Sequence, residues 1–330
     1  MKILVTGGAG YVGSHAVREL LKNNYEVIVY DNLSRGFRES LPQDVNFING
    51  DLNNCELLEQ IFRMHQFDAV IDFAGHLEVE ESMKNPIKFY TNNVLSLLNL
   101  LNVMQKHNVK TIVYSSSASV YGQPEKIPVP ESHSNNTNNV YGETKAIAER
   151  ILKFFDNIYG IKSISLRYFN AAGADTDGEI GEAHKPETHL IPLVYHVALG
   201  KRQHIAIYGN DYQTKDGTCI RDYVHVTDLA QVHILAMERL MTEGKSNVYN
   251  VGTGYGYSVE EIIEFARKIT GHEIPTVRSI RRFGDPAELV ADVTKIKKEL
   301  GWQPRFSDLK TIMETSWNWH KYHHDGFNGN

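Results

Sequence analysis

Lys2-Ile3-Leu4-Val5-Thr6-Gly7-Gly8-Ala9-Gly10-Tyr11-Val12-Gly13-Ser14-His15 is the stretch that decides the fold of this chain. Ile3-Leu4-Val5 is a short apolar run that stops at Gly7, which predicts a strand. From Ser14 to Lys22 the apolar residues Ala16, Val17, Leu20 and Leu21 share one face at helical spacing. Glu26-Val27-Ile28-Val29-Tyr30 then reads as a second strand that ends at Asp31. Strand, glycine turn, helix and strand within ~30 residues make a βαβ unit. Such a turn lets backbone approach a pyrophosphate and aims helix N–H groups at its charge, and a carboxylate at the second strand's end accepts hydrogen bonds from a ribose diol. Asp31 would repel a 2′-phosphate, so NAD is the expected cofactor, and Arg35 keeps NADP as an alternative. Glycine-rich turns also serve structural purposes alone, so the reading rests on the flanking strands and the acid together.

The alternation continues outward. Val45-Asn46-Phe47-Ile48 leads to Gly50-Asp51-Leu52, Ala69 to Phe73 leads to Ala74-Gly75, Thr111 to Tyr114 leads to Ser115, and Ser163 to Leu166 leads to Arg167. Helical segments between them put each loop at the carboxyl end of a strand, where ligands of open α/β sheets bind. The expected fold is therefore α/β, a Rossmann-type doubly wound parallel sheet with a smaller C-terminal α/β domain. The pattern weakens near Asn170, which places an NAD-binding domain at 1–169 and a second domain at 170–330, with returns to the sheet expected near Val248 to Val251 and Arg221 to Val224.

With 330 residues, 42% hydrophobic and 22% charged, the chain has material for a sizeable core without staples. A formal charge of −6 gives no electrostatic footprint for nucleic acid or a membrane surface, so an anionic ligand must be held by local devices such as the glycine turn. Cys55 and Cys219 are the two cysteines, far apart in sequence, which argues against a disulfide framework and a structural zinc and favours a reducing compartment. The first residues reach glycine before an apolar signal core forms, and no run approaches the ~20 apolar residues of a membrane span. A cytoplasmic protein is expected.

Tyr141-Gly142-Glu143-Thr144-Lys145 sets a phenol and an ammonium on one face of a helix that continues through Ala146, Ile147 and Arg150. A Tyr and a Lys at this spacing arise by chance about once in such a chain, so the pair alone is weak. Ser115-Ser116-Ser117 strengthens it, because it follows a strand at the sheet end where a nicotinamide would lie. A nearby ammonium and a cationic nicotinamide both favour phenolate, which lets tyrosine act as a base closer to neutrality than its free pKa of ~10 suggests, and a serine hydroxyl can relay the proton. A surface serine run beside a helix-start tyrosine is the alternative.

These segments resemble the extended short-chain dehydrogenase/reductase family, as do Asp31-Asn32, Gly50-Asp51-Leu52, Phe73-Ala74-Gly75, Asn92-Asn93-Val94 and Ser115 to Ala118. The resemblance runs on through Leu166-Arg167-Tyr168-Phe169-Asn170, Tyr208 to Tyr212, Gly217 to Val226 and Arg281-Arg282-Phe283-Gly284-Asp285, motifs of the sugar-nucleotide half. It implies a catalytic set of Ser117, Tyr141 and Lys145, in which Tyr141 removes the proton of the sugar 4-hydroxyl as hydride passes from C4 to NAD. The resulting 4-keto sugar turns in the site and takes the hydride back on its other face, so that UDP-galactose and UDP-glucose interconvert. For NAD the resemblance implies Gly7, Gly10, Tyr11, Val12, Gly13, Asp31, Asn32, Asp51, Leu52, Phe73, Ala74, Gly75, Asn93, Ser115, Lys145 and Tyr168. For the UDP-sugar it implies Asn170, His189, Leu190, Ala206, Tyr208, Arg221, Arg282, Asp285 and Leu289 beside Ser117 and Tyr141. A plainer account of Arg221 is an ion pair with Asp222 or Asp228.

Two positions depart from the family pattern. His76-Leu77-Glu78 stands where some members carry a lysine, and His189 stands where others have asparagine. The remaining histidines, His320, His323 and His324 of the polar tail among them, lack metal-ligand context and are expected to be solvated, and no metal is expected. Sugar-nucleotide dehydratases of the same family place an Asp-Glu pair just before Val-Tyr-Gly, where this chain has Ala118 and Ser119, which cannot transfer a proton in that role. Uronate decarboxylases and epimerases would add a site for a C6 carboxylate, and none is identified. A dinucleotide-sensing protein without catalysis would be expected to lose the serine, tyrosine or lysine, and all three stand.

Asn93 to His107 carries Val94, Leu95, Leu97, Leu98, Leu100, Leu101, Val103 and Met104 around nearly the whole circumference of a helix. A helix apolar all round must be covered on both sides. The resemblance implies that this helix and the one carrying Ala146, Ile147, Ile151, Leu152, Phe154 and Phe155 pair across a two-fold axis, so a homodimer is expected, the alternative being a third layer from the same chain. Leu289 matches the residue that gates the sugar's 2-position, which implies UDP-glucose and UDP-galactose as the preferred pair and weaker turnover of UDP-N-acetylglucosamine.

Overall fold

The computed structural model describes residues 1–282 and 284–328; Phe283 of the double-arginine motif lies outside them, as do Gly329 and Asn330 at the end of the expected second domain. The first half runs β1 (Lys2–Thr6), α1 (Tyr11–Lys22), β2 (Glu26–Asp31), β3 (Asn46–Asn49), α2 (Cys55–Met64), β4 (Ala69–Asp72), α3 (Val79–Lys84), α4 (Pro86–Tyr90), α5 (Ser96–Lys106), β5 (Thr111–Ser117), α6 (Val140–Tyr159) and β6 (Lys162–Tyr168). The second half adds β7 (Asn170–Ala172), α7 (Leu190–Ala198), β8 (Ile205–Tyr208), β9 (Ile220–Arg221), β10 (Tyr223–His225), α8 (Val226–Glu243), β11 (Asn247–Val251), β12 (Tyr257–Ser258), α9 (Val259–Thr270), β13 (Thr276–Ser279), β14 (Glu288–Leu289), α10 (Thr294–Leu300) and α11 (Leu309–Tyr322).

Seven strands form one sheet in the order β11-β6-β5-β4-β1-β2-β3, every pair parallel. The order reverses between β1 and β4, so the loops after those strands open a crevice at their carboxyl ends. Both faces are covered, and the strand side chains divide by parity even though the strands are apolar throughout. Ile3, Val5, Val29, Ile71 and Val113 meet Val17 and Leu20 of α1 and Leu229, Val232 and Met237 of α8. Leu4, Ile28, Val70, Ile112 and Tyr114 meet Leu58 and Phe62 of α2, Leu97 and Leu101 of α5 and Leu152 of α6. Each of these large side chains, fully buried, is worth ~1.5–3 kcal/mol before chain entropy is counted. A separate cluster in the second half joins α7, α9 and α11 through Ile191, Val194, Ile263, Ile312 and Met313, and His320, expected to be solvated, is instead buried on α11.

Two expectations are corrected by the topology. The segment Arg221 to Val224 does not return to the large sheet: β9 pairs with β12 and β14, and β10 pairs with β7. The edge beside β6 belongs to β11, which α8 delivers after crossing the sheet face. Buried Asp222 fixes the crossing, its carboxylate accepting hydrogen bonds from the N–H of Thr253 (2.8 Å), Gly254 (3.0 Å) and Ala291 (3.2 Å). The helix expected from Asn93 is also not uniform. Thr91–Leu95 is a π turn between α4 and α5, and regular α-helix begins at Ser96.

Candidate active site

The glycine turn is built by close approach. Gly7 has φ of +67°, and a Cβ there would stand 2.6 Å from the Ala74 backbone nitrogen. At Gly13 a Cβ would fall 2.3 Å from the Gly7 carbonyl oxygen, so α1 abuts the turn only because that position is glycine. Gly10 is the N-cap of α1 and supplies no side-chain cap, and the first turn, Tyr11 and Val12 included, holds no acidic residue. The helix N–H groups and dipole therefore face the crevice without a side-chain cap or an acid of the helix's own first turn, which is the setting a pyrophosphate fits. The Tyr11 hydroxyl itself is turned away and donates to the Gly173 carbonyl at 2.6 Å.

At the end of β2 the Asp31 carboxylate accepts from the N–H of Ala9 (2.9 Å) and of Leu33 (2.8 Å), which locks it beside the turn. Asn32 donates to the Asp51 carboxylate at 2.7 Å, joining the ends of β2 and β3 and placing Leu52 next to them. Arg35 is engaged by Glu78 at 2.8 Å and Glu81 at 3.1 Å and donates to the Lys185 carbonyl at 2.6 Å. A guanidinium held by two carboxylates offers little to a 2′-phosphate, and with Asp31 the site fits NAD.

The loop after β4, Phe73-Ala74-Gly75, is held from two sides. The Asp72 carboxylate accepts from Thr6 Oγ1 at 2.6 Å and from the Ala74 N–H at 3.1 Å. Asn93, buried in the π turn, accepts from the His76 N–H at 2.8 Å and donates to the His76 carbonyl and to Thr144 Oγ1, each at 3.0 Å. The turn thus aims an amide that ties this loop to α6, a use consistent with π turns as local devices for re-aiming side chains.

β5 delivers Ser115 and Ser117, and α6 delivers Tyr141 and Lys145 from its first turns. Asn139 caps α6 by accepting from the Gly142 N–H at 2.8 Å. Gly142 packs so closely on the Ser119 carbonyl that a Cβ would sit 2.5 Å from its oxygen, and this closeness sets Tyr141 against the end of β5. Lys145 Nζ donates to the Ser115 carbonyl at 2.7 Å and lies 6.0 Å from the centre of the Tyr141 ring. Burial lowers the Lys145 pKa to about 8, with Asp72 and Glu149 opposing the fall, so the ammonium persists at neutral pH. Burial raises the Tyr141 phenol, while the Ser117 hydroxyl beside it favours the phenolate. Tyr168, at the end of β6, hydrogen-bonds His233. The chain by itself therefore holds Tyr141 protonated, and a cation in the crevice would be needed to bring it nearer neutrality.

The second half brings a different set together. In the β9–β14 register Leu289 lies opposite Arg221, whose guanidinium sits 3.6 Å from Asp285 and donates to the carbonyls of Ile220 and Pro286 at 2.9 Å each. The ion pair considered for Arg221 is thus with Asp285. Asp222 is consumed by the crossing described above, and Asp228 accepts from the backbone N–H groups of Arg305 and Phe306 and from the Ser307 hydroxyl. Ala206 and Tyr208 share one face of β8, and the Arg282 guanidinium lies over the Tyr208 ring at 3.9 Å. Asn170 opens β7 and donates its N–H to the Asp222 carbonyl at 2.9 Å. His189 and Leu190 begin α7, and the His189 ring faces Glu182 and Glu187.

Residues that the sequence did not single out join the two sets. Gln123 and Asn138 both donate to the Gly284 carbonyl, at 2.9 and 2.7 Å, so the turn carrying Arg282 and Asp285 is fastened next to the cap of the Tyr141 helix. Behind β5, Arg167 and Glu149 form a buried bidentate pair (Nε to Oε1 2.9 Å, Nη2 to Oε2 2.6 Å), to which Ser116 donates at 2.6 Å.

A glycine crevice that fits a dinucleotide and a Ser-Tyr-Lys group at the carboxyl end of a parallel sheet mark a nucleotide-dependent enzyme fold, and the chain belongs to the NAD dependent epimerase/dehydratase family, whose model matches residues 3–252. It is 51% identical over 327 residues to the UDP-glucose 4-epimerase of Halalkalibacterium halodurans, covering 99% of this chain and 98% of that one. Among solved structures it matches UDP-glucose 4-epimerase from Brucella ovis in complex with NAD, at a TM-score of 0.94, 42% identity and 98% of each chain. It also matches the enzyme from Bifidobacterium longum in complex with NAD+ and UDP, at a TM-score of 0.94 and 40% identity, over 99% of this chain and 100% of that one.

Proposed function

We propose that this chain is a UDP-glucose 4-epimerase that interconverts UDP-galactose and UDP-glucose with NAD as a resident cofactor. The observation that carries the reading is the joint placement of Tyr141, Ser117 and Lys145 at the carboxyl edge of a dinucleotide sheet, fastened through Asn138 and Gly284 to Arg282 and Asp285. Residues 1–169, with β11 returning, hold the cofactor, and residues 170–330 mainly hold the UDP-sugar. When bound, NAD supplies a hydride acceptor for sugar C4 that gives the hydride back within the same turnover. Tyr141 takes the proton of the 4-hydroxyl and later returns it, Ser117 relays that proton, and Lys145 keeps a positive charge beside the phenol. Arg221 and Arg282 grip the diphosphate so that the keto sugar can swing while the nucleotide stays. Ala118 and Ser119 offer no acid and base for eliminating water, so the reaction stops at epimerisation. Incubation with UDP-galactose tests this: UDP-glucose appears without net NADH, whereas steady NADH accumulation would make the protein a dehydrogenase.

Substrate breadth turns on Leu289, which lies opposite Arg221. Leucine is intermediate in volume and donates no hydrogen bond, so UDP-N-acetylglucosamine is expected as a weaker substrate. Leu289→Tyr should lower kcat/KM for the N-acetylated sugar relative to UDP-glucose by ~10–200-fold, equivalent to the ~1–3 kcal/mol usual for one apolar contact. Unchanged N-acetyl activity in that variant would remove Leu289 from the gate.

The protein is proposed to work as a cytoplasmic homodimer. No helix among the described residues is long and apolar enough to cross a membrane, and both cysteines are free. While α5 buries Leu97, Leu100 and Leu101, Leu95 is 47% exposed, and on α6 Phe154 and Ile158 are 63% and 66% exposed. Apolar side chains left outward on α6 and on the π turn that leads into α5 are the surplus that an isologous two-fold contact would cover. Light scattering at micromolar concentration should give twice the chain mass; a monomer would count against the dimer.

A further inference from the structure

The segment ahead of α7 repeats one unit, Glu182-Ala183-His184 and Glu187-Thr188-His189. We propose that Glu182, His184, Glu187 and His189 form a site for one divalent cation of the zinc class. One ligand atom from each of the four lies within 4.8 Å of the others. His184 Nδ1 is 3.2 Å from Glu182 and 3.5 Å from Glu187, and His189 Nδ1 is 2.7 Å from Glu182 and 3.2 Å from Glu187. A tetrahedron with zinc-to-ligand bonds of ~2.05 Å has edges of ~3.3 Å, and these four nitrogen-to-oxygen separations are of that order, those to Glu187 running to Oε2 from His184 and to Oε1 from His189.

A second observation separates a metal site from a knot of ion pairs. Both Nδ1 atoms are sealed from solvent, yet neither makes a hydrogen bond of acceptable geometry despite carboxylate oxygens so near. An Nδ1 whose lone pair no donor occupies can bind a cation, and all four groups stand within reach of a single one. The rival state is a metal-free pairing of two imidazoliums with two carboxylates. Burial opposes it, but Glu182 and Glu187 hold His184 up to about 9, so protons and metal compete for the same nitrogens.

The chemistry of the donors selects the ion. Two imidazoles with two carboxylates suit zinc, whereas calcium or magnesium would take oxygen alone. Four protein ligands close the coordination sphere, which marks a structural role. The site has an entry path, since a groove of about 510 Å³ runs beside Glu182, His184 and Glu187 towards His320 and His323. It also has a job in the fold. Tyr11 of the glycine turn meets the His184 ring edge to face at 6.1 Å, and Leu190 at the start of α7 follows His189 directly. A cation here would pin the segment between the cofactor crevice and the second domain. Reading zinc through cysteine spacing misses a site without sulfur.

The full chain, made without an affinity tag and dialysed first against zinc chloride and then against metal-free buffer, should retain one zinc per chain by mass spectrometry. X-ray absorption should show four nitrogen or oxygen neighbours at ~2.0–2.1 Å with two imidazole rings among them. His184→Ala and Glu187→Ala should each bring zinc to background, while His323→Ala/His324→Ala keeps one equivalent. Wild-type protein without zinc above background, retention in the Glu187→Ala chain, or loss in the tail variant overturns the proposal. If the single variants fail to fold, the wild-type spectrum decides: sulfur in the shell, or fewer than two imidazoles, contradicts the assignment.

Discussion

Tyr141→Phe should lower kcat for UDP-galactose by at least ~10², the usual loss when a general base is removed. The ring remains packed at the start of α6, where the Asn139 cap and the close contact of Gly142 with Ser119 fix the backbone, so only the proton acceptor is lost. NAD should stay bound, because the glycine turn and Asp31 are untouched, and the nucleotide's KM should change far less than kcat. The comparison with Ser117→Ala gives the test its edge. In the proposed mechanism Tyr141 is the base, and the Ser117 hydroxyl beside it aids by favouring the phenolate against the rise that burial imposes. Near-normal turnover in Tyr141→Phe with abolished turnover in Ser117→Ala would reverse these roles.

Glu149→Ala should destabilise the protein by ~3–5 kcal/mol, the range for breaking a buried ion pair from one side. The Glu149 and Arg167 side chains are 7% and 6% exposed, and Glu149 also accepts from Ser116 at 2.6 Å. Arg167 continues the network to the Tyr121 hydroxyl at 2.8 Å, which donates to Asn250 at 2.6 Å, so the pair clamps β5, β6 and β11 together immediately behind Ser115 and Ser117. Removing the carboxylate leaves a guanidinium buried without its counter-charge. Chemical denaturation reads the difference, and Glu149→Ala/Arg167→Met should recover much of the loss. A single-variant effect under ~1 kcal/mol would mean that water reaches the pair and screens it.

The large sheet was legible because its signals are local: apolar runs that end in glycine or serine, helical spacing between them, and an acid at the end of β2. Tyr141 and Lys145 were legible for the same reason, since one helical turn brings them to one face. What stayed hidden depends on segments distant in sequence. Arg221 stands beside Asp222, yet its carboxylate partner is Asp285, because the fold buries Asp222 among the N–H groups of Thr253, Gly254 and Ala291. Nothing in Asn93 announces that a π turn will aim its amide at His76. Gln123 and Asn138 sit in a polar stretch between β5 and α6 that reads as loop, and only the folded chain brings them onto Gly284. The repeated Glu-x-His unit was visible in the letters, but its four side chains converge only when the segment folds back ahead of α7.

The central claim is that one turnover removes and restores the same hydrogen at sugar C4 within a single protein. UDP-galactose carrying deuterium at C4 should give UDP-glucose that keeps the label at C4, with no deuterium in solvent and no net NADH at 340 nm. Loss of the label to water, or a keto sugar accumulating in step with NADH, would contradict the account.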